Sequence, residues 1–247
     1  MEWFKKQKNT DGLLPWLKTD TGMGRLGFAP DRTQELLTSD AGLDWSGVLT
    51  HFASADQLHN PMTQDQIKLF DTLEIAESVQ KSLANSAGIL GWPSAHADWA
   101  RPGIMLYGSN PLDNARENDA QLRSAMRVSA PLIACKQFES GAPVGYCGSF
   151  ICPQPMKIAY AAIGYGDGLP RVLNDAATVW IAGHCCPVVG RVSMDSIAID
   201  VTGLDHIGVG SEVVLWGPEH SIDVLAKAAN TISYELMTAI KGPREYR

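Results

Sequence analysis

With 247 residues, 45% of them hydrophobic and 19% charged, the chain is long enough for one large or two ordinary domains around a sizeable core. Its 20 basic and 27 acidic residues give a formal charge of -7, and basic side chains cluster only in Lys5-Lys6-Gln7-Lys8. That run reads as a solvated helix face, and nucleic acid is not an expected partner, because phosphate contacts need concentrated positive charge. No apolar run reaches the roughly 20 residues that span a bilayer, and the stretch from Met1 to Lys6 has no apolar signal core, so no membrane is expected.

Leu13-Leu14-Pro15-Trp16-Leu17-Lys18 predicts a strand. A helix is expected from Pro30-Asp31, since proline suits the first helical turn and an aspartate its positive end. Gly47–Phe52 predicts a second strand, ending in polar residues. Thr63-Gln64-Asp65-Gln66 has the capping-box spacing, and beyond it Ile67, Phe70, Leu73, Ala76, Val79 and Leu83 recur at helical intervals. Leu83-Ala84-Asn85-Ser86 resembles a short strand end, and Gly103–Tyr107 another strand. This β-α-β-α-β rhythm implies a parallel sheet with helical crossovers, open or closed into a barrel. From about residue 122 the rhythm changes. Met156–Ile163, Ala177–Ile181, Ser193–Val201 and Glu212–Trp216 are strand-like runs separated by turn residues, and Ser221–Ile240 is helical. The expected division is 1–119 and 120–247, with the polar stretch Asn114-Ala115-Arg116-Glu117-Asn118-Asp119 between them.

Five cysteines (Cys135, Cys147, Cys152, Cys185 and Cys186) are odd in number and show no C-x-x-C spacing, which fits a reduced, cytoplasmic compartment. His184-Cys185-Cys186 suggests zinc, but a strand there turns the two cysteines to opposite faces, so no metal is expected. Gly22-Met23-Gly24-Arg25-Leu26-Gly27 spells G-x-G-x-x-G. In a dinucleotide fold the last glycines lead straight into a helix that receives pyrophosphate. Here Phe28-Ala29-Pro30 intervenes, proline disfavours helix at Ala29, and the preceding strand carries Lys18 and Asp20. NAD is not expected.

The whole phrase from Trp16 to Gly27 closely resembles the alanine racemase family, which uses pyridoxal 5'-phosphate. In family order follow Thr50-His51-Phe52-Ala53-Ser54-Ala55-Asp56, Asn85-Ser86-Ala87 and Arg101–Gly108. Later come Val144-Gly145-Tyr146, Ile163–Gly168, Val189–Asp195 and Ile232-Ser233-Tyr234-Glu235. The resemblance implies the α/β C-terminal part of a (β/α)8 barrel followed by a mainly β C-terminal domain.

It also implies roles. Racemisation removes the α-proton on one face and returns one on the other, and the cofactor takes up electron density through a Schiff base with the substrate. In the family a lysine serves one face and a tyrosine of the partner subunit the other; by resemblance that tyrosine is Tyr146. A tyrosine acts as a base near neutral pH only beside a cation or donor that favours phenolate. Arg25 is the implied helper and binds the alanine carboxylate, and Lys18 matches a lysine many members carry as a carbamate, an ordinary pairing with Asp20 being the alternative. Arg101 matches the arginine that faces the pyridine nitrogen, with His51 in support. Ser86, Gly103 and Ile104 suit a phosphate cradle, Tyr234 adds a hydroxyl to it, and Asn85 orients the site. Met194 matches a substrate contact made across a head-to-tail homodimer, with Tyr165 and Asp195 narrowing the entrance.

One expected segment is missing. The family's cofactor lysine lies in a Lys-Ala-(Asn/Asp)-Ala-Tyr-Gly-His-Gly type sequence, and none of the lysines here, at 5, 6, 8, 18, 68, 81, 136, 157, 227 and 241, has that context. The expectation is an alanine racemase shortened at its N-terminus and inactive alone. The alternatives are a non-catalytic fragment that pairs with or regulates a full-length racemase, and a broad-specificity amino-acid racemase; a basic amino-acid decarboxylase fits the motifs less well.

Overall fold

Leu17 and Val48, both buried, mark the inner faces of neighbouring parallel strands at the start of the chain. The computed structural model describes residues 13–39, 44–113 and 122–242, so the Lys5–Lys8 run and the boundary stretch 114–119 lie outside the described residues. By its internal contacts the chain forms two units, Met1–Met105 with Pro111–Ala120, and Leu106–Asn110 with Gln121–Arg247.

In the first unit β1 (Trp16–Lys18), β2 (Gly47–Leu49) and β3 (Gln80–Ser82) form a parallel sheet in that order, with Leu17 opposite Val48 and Leu49 opposite Ser82. Helix α1 (Pro30–Thr38) crosses from β1 to β2 with Pro30 in its first turn and Asp31 beside it, and turns Thr33 and Leu36 inward. Helix α2 (Met62–Asp71) crosses from β2 to β3 and buries Ile67 and Phe70 against the sheet. At Gly47 a Cβ would lie 2.5 Å from the Trp16 ring, so the indole packs flat on β2 only over a glycine. The outer edge of β3 is covered by Asp98–Arg101. Trp99 N–H donates to Lys81 O (3.1 Å), Arg101 N–H to Ala84 O (2.9 Å), and Asp98 Oδ2 accepts Lys81 N–H (2.8 Å).

Three expectations are corrected here. The capping box does not form: α2 begins at Met62 after Pro61, Thr63 sits inside the first turn, and its buried hydroxyl has no partner. The helix ends at Asp71 rather than running on to Leu83; beyond it Ala76 is exposed, while Ile75 and Val79 pack on the core on the way into β3. Gly103–Tyr107 is no strand but leads into a 3-10 helix, Ile104–Tyr107.

The second unit closes on itself. Among the described residues β4 (Val128–Phe138), β7 (Met156–Ala161), β8 (Thr178–Ile181), β9 (His184–Val189), β10 (Ile197–Asp200) and β11 (Glu212–Trp216) form a barrel in the order β10-β7-β4-β11-β8-β9. Closure leaves no unpaired sheet edge in it. The hairpin of β5 (Pro143–Val144) and β6 (Phe150–Ile151) stands apart. The expected helical stretch Ser221–Ile240 is two helices, α4 (Ile222–Ala228) and α5 (Ser233–Ala239), broken where Asn230 takes φ +52°. In β9 Cys185 is exposed and Cys186 buried, facing opposite ways, and burial pushes the Cys186 thiol up to about 11. Among the described residues no group of three or more His, Cys, Asp or Glu side chains is placed to hold a metal ion, and no helix is long and apolar enough to cross a membrane. All five cysteines are free.

Candidate active site

The glycine-rich loop after β1 is closed on itself. Phe28 N–H donates to Lys18 O (2.9 Å) and Asp20 N–H to Phe28 O (2.8 Å), so residues 20–27 form a lobe at the end of the strand. Gly27 stands at its neck with φ +127°, where a Cβ would lie 2.8 Å from Asp20 N; only glycine fits. Inside the lobe Asp20 Oδ1 accepts the N–H groups of Gly22 (3.0 Å) and Gly24 (3.1 Å). These bonds, with lesser ones from Met23 and Arg25, hold the Asp20 carboxyl below its usual range. The amides that a dinucleotide loop offers to pyrophosphate are thus taken by the loop's own carboxylate, and the next helix starts only at Pro30. Lys18 and Asp20 form no ion pair among the described residues. The Arg25 side chain is exposed on the lobe, and its guanidinium has no hydrogen-bonding partner among the described residues.

Arg101, carried in by the strap along β3, spans two strand ends. Its Nη1 donates to Ser82 O (2.9 Å) and Ser82 Oγ (2.5 Å), and its Nη2 to Thr50 O (2.5 Å) and Leu83 O (3.1 Å). Nε is the guanidinium nitrogen left without a partner among the described residues. Burial draws Arg101 below the usual arginine range, but a guanidinium remains charged throughout the physiological range. His51 follows β2 half-buried, and its imidazole is held below its ordinary range, first by burial and then by Arg101, Arg25 and Lys18.

That depression fixes a sign. Between the folded and unfolded values the unfolded chain binds more protons, so the stability His51 confers is complete above about 6.5 and is lost as pH falls toward the folded value. Urea midpoints taken from pH 7.5 down to 5.5 should decline, and His51→Gln should flatten the decline. An unchanged slope in that variant would show that His51 is not the group responsible.

Asn85 caps helix α3 (Ser86–Gly91): its Oδ1 accepts Gly88 N–H at 2.9 Å. The cap holds Ser86, whose Oγ accepts the N–H groups of Gly103 (2.8 Å) and Met105 (3.4 Å), the residues on either side of Ile104. Lys18 ends β1 with Arg25 on the lobe after it, His51 follows β2, Asn85 and Ser86 open α3 after β3, and Arg101 ends the strap along the edge of β3, with Gly103 and Ile104 after it. Gln66, Thr21, Thr50 and Ser82 join them and were not expected from sequence. The one signal for Gln66 was an amide on the apolar face of α2.

In the second unit Tyr165 N–H donates to Ser193 O (3.0 Å) and Gly166 N–H to Met194 O (2.8 Å), which straps the Tyr165 turn to the Met194-Asp195 turn. Gly164 allows this approach, since a Cβ there would lie 2.3 Å from Met194 O. Tyr146 tips the β5–β6 hairpin between Gly145 (φ +75°) and Cys147 (φ +59°), with Arg191 Nη1 3.8 Å from Cys147 Sγ. Tyr146, Tyr165, Met194, Asp195 and Tyr234 are all exposed. Tyr234 lies on α5 next to Ser233, whose Oγ donates to Asp223 Oδ1 (2.9 Å).

Family models of the alanine racemase N-terminal domain and C-terminal domain match residues 2–111 and 125–246. The alanine racemase of Halorhodospira halophila is 41% identical over 225 residues, which cover 90% of this chain and 62% of that protein. That of Legionella pneumophila (strain Lens) is 39% identical over 251 residues, covering 100% of this chain and 70% of that protein. Among solved structures, the biosynthetic alanine racemase from Pseudomonas aeruginosa superposes with a TM-score of 0.87 at 40% identity, over 96% of this chain and 68% of that one. The alanine racemase from Bartonella henselae with covalently bound pyridoxal phosphate gives 0.79 at 31% identity, over 92% of this chain and 64% of that one. The chain thus spans between 62% and 70% of the length of these relatives.

Proposed function

Since the chain belongs to the alanine racemase family, we propose that it carries most of the site of a pyridoxal-phosphate-dependent alanine racemase, with 1–119 as barrel segment and 120–247 as β domain. The observation that carries this is that Arg101, His51 and the Ser86–Gly103 pair lie at the ends of the adjacent parallel strands β2 and β3. These residues fit the cofactor. Ser86 Oγ and Gly103 N–H bond each other at 2.8 Å, a pair that a phosphate oxygen can divide, with Ile104 beside them; the resemblance adds Tyr234 as a further hydroxyl. Arg101 has an unused N–H for an aromatic ring nitrogen, and His51, kept neutral, adds no second charge there.

When bound, pyridoxal phosphate supplies the electron sink that makes an α-proton removable. Arg101, a fixed cation, keeps a facing ring nitrogen unprotonated and so restrains that sink. Arg25 forks onto the alanine carboxylate and favours phenolate at the tyrosine that acts as base. The reading gives that role to Tyr146 of a second copy, with Met194 contacting substrate and Tyr165 and Asp195 at the entrance. A homodimer in the cytoplasm follows from it. Asn85 acts through Ser86, and Lys18, as a carbamate, would orient Arg25.

The test is a spectroscopic titration of the 247-residue chain with pyridoxal phosphate. Saturable binding that Ser86→Ala weakens by about tenfold, in line with loss of a charge-assisted hydrogen bond, is the expected result. Absence of saturable binding would overturn the cofactor assignment.

A further inference from the structure

Gln66 has no place in that chemistry, yet its buried amide makes three hydrogen bonds. It is 1% exposed on α2. Nε2 donates to His51 O (3.0 Å) and to Thr21 Oγ1 (3.3 Å), and Oε1 accepts Ala53 N–H (3.0 Å). Thr21 Oγ1 lies 2.7 Å from Thr50 Oγ1, which closes the network. Thr21 opens the lobe that presents Arg25, whereas His51 and Ala53 belong to the loop after β2. At Gly22, the next residue of the lobe, a Cβ would lie 3.4 Å from Gln66 Cγ, so the lobe rests on the amide's stem. A buried amide is costly unless its groups are paired. An apolar residue would suit a helix face shared with Ile67 and Phe70, but it could not join these two loops.

We propose that Gln66 is a positioning residue: its amide fixes the Arg25 lobe and the His51 loop in one mutual placement, without touching substrate or cofactor. What that placement serves rests on the racemase reading; the coupling of the two loops does not. Gln34 is a matched control. It too bridges with its amide, accepting Glu74 N–H (2.8 Å) and donating to Glu74 O (3.4 Å), but it bonds neither loop.

The experiment uses the full 247-residue chain and two readouts, affinity for pyridoxal phosphate and the His51 titration midpoint by NMR. Gln66→Met is expected to weaken binding by about tenfold, the scale of a small misplacement of binding groups. It should also raise the His51 midpoint toward its ordinary range, because a loosened lobe admits water and lets Arg25 retreat while Arg101 and Lys18 stay. Thr21→Val, which cuts only the lobe's side of the network, should move both readouts the same way by less. Gln34→Met should move neither. The proposal is overturned if folded Gln66→Met matches the parent in both readouts, or if Gln34→Met shifts them equally. Should Gln66→Met not fold, Thr21→Val decides. If the parent chain binds no pyridoxal phosphate, the racemase reading fails and the His51 midpoints alone decide the coupling.

Discussion

Replacing Arg101 by leucine is expected to lower the stability of the first unit by about 3 kcal/mol and to remove its affinity for pyridoxal phosphate. The guanidinium serves Ser82 O, Ser82 Oγ, Thr50 O and Leu83 O at once. Leucine fills the space but leaves strand-end acceptors without donors. Each buried acceptor so stranded costs about 1–3 kcal/mol, part of which water recovers at this half-buried position. Arg101→Lys keeps the charge but offers a compact ammonium that cannot fork across β2 and β3, so it should fall between the two. Urea unfolding followed by tryptophan emission gives the measurement, because Trp16, Trp45, Trp92 and Trp99 report on the first unit. Hydrogen exchange at Leu83 and Thr50 locates the loss. A midpoint shift worth less than about 0.5 kcal/mol, the range of neutral surface changes, would refute the role of Arg101 as a clamp.

Where side-chain periodicity and backbone chemistry agree, the sequence was a sufficient guide. Pro30 starts α1 where expected, Glu212–Trp216 is a strand with those bounds, and the Gly22–Gly27 lobe does not feed a helix. Periodicity failed where one local signal has two readings. Thr63 and Gln66 have the spacing of a capping box, but Pro61 is already the N-cap and the helix begins at Met62, so both turn inward and Gln66 bridges loops. The longest strand, β4, was hidden by Pro131, which can bear no ladder donor, though its carbonyl accepts Ala162 N–H at 3.0 Å. Among the motif-borne residues, Ser86 bonds Gly103 and Arg101 bonds the ends of β2 and β3. The helix-borne support from Gln66 was illegible because two of its three partners are main-chain groups, of His51 and Ala53, which no residue type announces.

Reduced with borohydride in the presence of pyridoxal phosphate, residues 1–247 alone are expected to yield no pyridoxyl-lysine and no turnover of L-alanine. None of the chain's lysines has the family's Lys-Ala-x-Ala-Tyr-Gly context. Two are already committed: Lys157 Nζ donates to Leu204 O (3.2 Å) and Ile207 O (2.8 Å), and Lys68 pairs with Asp65 (3.5 Å). An adduct mapped by mass spectrometry to any lysine of the chain would overturn this expectation. On the racemase reading, addition of a polypeptide that carries the family's lysine segment is then expected to bring turnover, because the chain carries the proposed cradle, Arg25 and Tyr146. In that mixture Tyr146→Phe should lower the rate on the order of 10³-fold, the usual worth of a positioned acid or base. The hydroxyl of Tyr146 has no partner among the described residues and the side chain is 59% exposed, so its removal should leave circular dichroism unchanged. Equal rates in the two proteins would remove Tyr146 from the mechanism and leave the second face of the substrate to another residue.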